Sequence, residues 1–166
     1  MEKDDSVIPV KGVIPIDQLF GDDEEDTTLL QAIALYARNY LQEFAWCKSV
    51  KSSYFGDGVG SVVAVFLFRI EPTQPDVDEW LWVIVGDIPP AYLVIDDNTS
   101  PSLALRSYID EMSKWVKLAK SGKPTSKAIP VNKPATKENA LLLEARLKAI
   151  EEMIVPRFRD AEVQRA

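Results

Sequence analysis

Asp87, Asp96 and Asp97 fall where apolar stretches give way to turn residues, and Tyr92 lies between them. These are the side chains best placed for chemistry. Two carboxylates held close together share a proton or hold a divalent cation, which would give acid–base or Mg²⁺-assisted catalysis. The competing reading is structural: Asp96-Asp97-Asn98 is a good turn leading into a helix cap, because Asp and Asn bond their own backbone a residue or two on. The rest of the chain adds little to a reaction. It contains no histidine and a single cysteine, Cys47. Ser-His-Asp and Cys-His activation, imidazole metal sites and the commonest general base at neutral pH are therefore absent. No cofactor and no metal site is expected.

Other clusters invite binding rather than catalysis. Gly56-Asp57-Gly58-Val59-Gly60 resembles a phosphate loop in composition. A phosphate cradle leads into a helix N-terminus, whereas this stretch separates two strand-like runs, so a hairpin turn is expected. Between Glu111 and Glu138 stand seven lysines and no acid. Lys114, Lys117 and Lys120 recur every third residue and line one flank of a helix. With Lys117 and Lys120 at its centre, this patch would take an acidic partner, complement a helix C-terminus, or meet the acidic run Asp22-Asp23-Glu24-Glu25-Asp26. Trp80 and Trp82 share one face of a strand. They are core if the chain covers that face and interface anchors if it does not.

The elements that must hold these residues follow from periodicity. At 166 residues, 46% hydrophobic and 27% charged, the chain is long enough for one domain that buries roughly 70% of its unfolded surface. Its first part is an extended, proline-marked arm (Val7-Ile8-Pro9-Val10, Val13-Ile14-Pro15-Ile16), and the acidic run reads as a solvated linker. Leu30, Ile33, Ala37, Tyr40, Leu41 and Phe44 give a helix over about 28–45, capped by Thr27. Strands are expected near 47–55, 61–70, 79–85 and 91–95, with short antiparallel connections. Ser100 caps a helix that begins at Pro101 and closes at Gly122. Thr136 caps another helix that stops at Pro156, and 157–166 is a charged mobile tail.

The fold class that results is α+β: a single domain with a four-stranded, mostly antiparallel meander, one N-terminal helix and two C-terminal helices. Its parts are an arm and acidic linker (1–26), the domain (27–156) and the tail. Two strands are apolar on both faces, with Val62, Ala64, Phe66 and Phe68 opposite Val63, Val65 and Leu67. A sheet with one wet face would alternate, so a helix, the arm or a second copy must cover the other side.

Charge is uneven. Residues 1–99 hold 6 Lys and Arg against 18 Asp and Glu, and residues 100–166 hold 13 against 8, for a net charge of −7. Nonspecific nucleic-acid binding is not expected of such a chain. Met1 to Asp5 is not followed by an apolar stretch, and the longest apolar run, 62–68, is too short to span a bilayer. The expectation is a cytoplasmic protein with no membrane partner, in which Asn98-Thr99-Ser100 is a turn.

The segment Val83-Ile84-Val85-Gly86-Asp87-Ile88-Pro89-Pro90-Ala91-Tyr92-Leu93-Val94, the helix through Ser107–Val116, and Pro130-Val131 resemble a group of small bacterial cytosolic proteins that share a domain of unknown function. The similarity runs from Trp82 to Pro156. It implies a bacterial cytosolic origin and no assigned activity. Missing chemistry, opposed charge blocks and a two-sided sheet lead to a non-enzymatic protein-binding module, neutralising (immunity-type) or adaptor-like. It would act with one protein partner or as a homo-oligomer, possibly a dimer. The alternative is a small-ligand binder or carboxylate enzyme built on the 86–92 turn, using Asp87, Tyr92 and Asp96.

Overall fold

The computed structural model describes residues 7–165, so residues 1–6 of the expected arm and residue 166 of the expected tail lie outside the described residues. The fold is α+β. An antiparallel sheet runs β1 (Ile14–Pro15), β2 (Cys47–Val59), β3 (Val63–Pro72), β4 (Trp80–Gly86) and β5 (Ile88–Val94), in that spatial order. Helix α1 (Glu24–Gln42) precedes the long strands, and α2 (Pro101–Lys120), α3 (Lys137–Met153) and α4 (Val155–Arg165) follow them.

The meander has five strands instead of four. The added one comes from the proline-marked arm, where Ile14 and Pro15 pair with Phe55 and Tyr54. An edge position suits Pro15, which has no amide to donate. The hairpin also turns later than its glycines suggest: β2 continues through Gly56 and Gly58, and the turn is made by residues 60–62. Gly58 serves close packing instead. A Cβ there would stand 2.7 Å from Leu30 Cδ2 and 2.9 Å from Ala64 Cβ.

Strand alternation divides the core in two. Ala64, Phe66, Phe68 and Ile70 of β3 face Leu30, Ala34, Ala37 and Leu41 of α1. Val63, Val65 and Leu67, with Trp82 and Ile84 of β4, face the α2 side chains Leu105, Tyr108, Met112 and Val116. Ala140, Leu143, Leu147 and Ile150 of α3 and Phe158 of α4 complete that second layer. Both sheet faces are therefore covered by helices of the same chain. That explains why β3 and β4 are apolar on both sides.

Two boundaries differ from expectation, each for a physical reason. The acidic run is not a linker. Asp23 caps α1 by accepting from the Asp26 amide (2.7 Å), and Glu24, Glu25 and Asp26 fill the first turn, where the helix dipole favours carboxylates. Thr27 instead donates its hydroxyl to Asp23 O (2.8 Å) and accepts from the Gly21 amide (2.7 Å). The charged tail is also a helix. Pro156 does not end the helical region; it sits in the first turn of α4, where a missing amide donor costs nothing. Phe158 anchors α4 at 1% exposure. Glu162 accepts from the amide and the hydroxyl of Ser102, both at 2.7 Å, at the start of α2. Among the described residues, no helix is long and apolar enough to cross a membrane.

Candidate functional site

Asp87 occupies the one-residue turn between β4 and β5. Gly86 makes that turn with φ +150°, and a Cβ there would stand 2.2 Å from Val62 O. The Asp87 amide donates to Val62 O (3.0 Å), and its largely solvated carboxylate approaches Arg146 of α3 at 3.5 Å. Asp96 lies exposed in the turn after β5. The two carboxylates are thus separated by the length of β5, on the order of 20 Å for a strand of this size. Tyr92 projects from the middle of β5 toward Phe44 in the turn after α1. The trio Asp87, Tyr92 and Asp96 does not converge, and a paired-carboxylate site between Asp87 and Asp96 is excluded. The 95–98 turn has a structural role: Asn98 donates to Val94 O (2.9 Å), accepts from the Ser107 hydroxyl (2.5 Å), and its carbonyl takes the Trp82 indole N–H (2.7 Å).

The tryptophans do not act as a pair. Trp82 is fully buried under α2, so it does not meet a partner of the folded chain. Trp80 is half-buried near Tyr54 and beneath the Arg69 guanidinium, 5.8 Å from its ring, while Arg69 also bonds Glu79. Nor do the opposed charge blocks meet as blocks. Asp22 pairs with Arg157 (2.9 Å), and Asp26 accepts from the amides of Gly60 (2.6 Å) and Asp22 (2.8 Å). The acids thereby tie α1 to the β2–β3 turn. Lys120 pairs with Glu144 of α3 (3.1 Å). Lys117 lines a groove of about 470 Å³ between α2 and α3, where Lys148, Glu144 and Glu151 mix the charge. Cys47 is buried, which pushes its thiol pKa up and leaves it a poor nucleophile. Among the described residues, no cluster of three or more His, Cys, Asp or Glu is arranged to hold a metal ion.

A site that sequence reasoning missed lies along the outer edge of β5. Phe44 and Trp46 stack at 4.8 Å, and Tyr92 meets both edge-on at 5.2 and 5.0 Å. Tyr40 joins edge-on to Phe44 at 5.3 Å. Ring pairs at these separations hold one another in place beyond their area burial. Tyr40 and Phe44 form one wall of a groove of about 430 Å³, whose floor is Ala91–Val94 and whose far wall is Ile129 and Pro130 of the loop after α2, while Trp46 packs against Phe44 and Tyr92. Among the described residues no strand pairs with β5 on this side. Tyr92 and Val94 remain 37% and 38% exposed. Burial raises the Tyr40 hydroxyl pKa to about 12, with further upward pushes from Tyr92, Tyr36 and Glu43. Tyr40 and Phe44 carried a sequence signal, since both stand on the apolar face of the helix expected over about 28–45, although α1 ends at Gln42. Only the fold brings Trp46 and Tyr92 to them.

No family model matches the chain, and no curated protein or solved structure is significantly similar to it.

Proposed function

We propose that the chain is a non-enzymatic protein-binding module that receives an extended segment of a partner along β5. The observation that carries this reading is the open, uncharged edge Ala91–Val94 set beside four mutually packed aromatic rings. A strand edge offers unpaired backbone groups, so an added strand gains affinity from main-chain hydrogen bonds and specificity from alternate side-chain pockets. The rings supply rigid apolar anchors at low entropic cost. Glu111 and Lys127 at the groove rim leave room for either charge on the partner. A neutralising or adaptor role, in which the module occupies another protein's working surface, would use this same edge.

The test compares the tagged full-length chain with Tyr92→Lys/Val94→Lys in pull-downs from native-host lysate. The double variant places two charges on the open edge. A protein recovered in stoichiometric amount with the native chain and lost with the variant supports the reading. Equal recovery with both would locate binding elsewhere and end it.

A further inference from the structure

At the opposite end of β5 a second groove has a different chemistry. Val62 of the β2–β3 turn, Ile88 of β5, and Ala149, Ile150 and Met153 of α3 line a space of about 270 Å³ with almost no polar atoms. Val62 and Met153 are 46% and 68% exposed, so apolar side chains that could have packed inward are left open. The groove ends at Arg146. Beyond it lies a polar pocket of about 320 Å³ holding Tyr36, Asn132 and Lys133, with Asp87 and Arg146 shared between the two spaces.

Charge at this junction is incompletely matched. The Arg146 guanidinium has one anionic neighbour, Asp87 at 3.5 Å, and makes no hydrogen bond among the described residues. Lys133 has no anionic partner among them. Two cations therefore face one mostly solvated carboxylate. A guanidinium in this state can turn its planar fork onto an incoming carboxylate, with two parallel N–H···O bonds replacing one long ion contact.

We propose that this composite groove binds a medium-chain fatty carboxylate, its alkyl chain lying between Val62 and Met153 and its head group on Arg146 and Lys133. A polypeptide fits this groove poorly, because the walls offer no donors or acceptors for its backbone and each buried amide would go unsatisfied. An alkyl chain needs none. The site is separate from the Tyr92 groove, so the two proposals fail independently.

Calorimetric titration of the full chain with decanoate, below the concentration at which it forms micelles, tests the proposal, with decanol as the head-group control. One saturable site per chain is expected. Arg146→Gln should weaken decanoate by about tenfold or more and leave decanol unchanged. Ala149→Trp on the exposed face of α3 should fill the groove and abolish both, and Met153→Asp, one turn further along the same wall, should do the same if the Trp variant fails to fold. No saturable decanoate binding overturns the proposal, as does an Arg146→Gln effect equal for decanoate and decanol, or binding that survives both wall variants. Binding confined to phosphatidylglycerol vesicles, with none to free decanoate, also overturns it and favours an anionic lipid surface.

Discussion

Along Cys47–Ser53 no strand among the described residues lies outside β2, and that stretch meets solvent with Lys48 and Lys51 and with register shifts at Cys47/Ser49 and Val50/Ser52. At the far side of the sheet, β5 carries Pro89 and Pro90 and an irregular register in its first half, then runs regularly through Ala91–Val94 against Leu81–Ile84. Ile88–Val94 contains no charged residue. Lysines, prolines and bulges are the usual means of keeping an edge from templating another chain. β2 has lysines and bulges along its open part, and the first half of β5 has prolines. Four residues of β5 have none of these, and the aromatic quartet stands beside those four. The contrast separates an edge kept unreactive from one left available.

The largest effect should come from the turn that sets β5 in register. Gly86→Ala combines a left-handed backbone angle with a Cβ placed 2.2 Å from Val62 O. It should cost about 3–5 kcal/mol of unfolding free energy, read as a lowered urea midpoint. A loss under about 1 kcal/mol would show that the turn yields easily and that the regular half of β5 is held from its other end. Next in size is Tyr108→Phe. The buried Tyr108 hydroxyl donates to Pro89 O at 2.5 Å, in the protected half of β5. Its removal takes the hydroxyl from a part-buried carbonyl, for about 1 kcal/mol read as a lowered urea midpoint.

Sequence periodicity carried the sheet and its two-sided core, because the alternation in Val63–Ile70 is a local property of a strand. What covered each face was not legible. α1 and α2 both present apolar stripes, and only the path of the chain decides which side each takes. Boundaries failed where one residue type serves two purposes. Pro156 ends a helix or starts one, and Asp23 and Thr27 are both good caps. The bond from the Gly60 amide to Asp26, 34 positions away, holds the earlier boundary in place. Asp87 and Asp96 were correctly set at strand ends, but a strand that runs straight between them keeps them apart. The aromatic groove was not legible because it draws on α1, the turn between α1 and β2, and β5 at once.

The comparison can be reversed at β2. Lys48→Val/Lys51→Val removes the charges from that edge, and only an exposed ion pair, Lys48 with Glu71 at 3.7 Å, is lost. Stability should change by less than about 0.5 kcal/mol. Light scattering should nonetheless show more concentration-dependent self-association than in the native chain. A variant that stays as dispersed as the native chain would mean that the bulges alone protect β2, and that the missing lysines are not what makes β5 available.

The smallest effect tests whether the wall beside β5 is as dry as its packing implies. Burial raises the Tyr40 pKa from 10.0 to about 12, so the folded chain favours the neutral phenol. Below pH 10 the residue is neutral in both states and its contribution is constant. As pH rises from 10 toward 12 the unfolded chain ionises first, takes up free energy the folded chain does not, and stability falls. Tyr40→Phe keeps the ring against Phe44 and removes that titration. Its unfolding midpoint should therefore decline less steeply than the native one across this window, while Tyr108, whose pKa burial also raises, contributes the same downward slope to both proteins. Parallel declines would place the Tyr40 hydroxyl in water in the folded chain. The groove wall would then be wet, and the aromatic contrast between the two edges would reduce to the missing charges on β5.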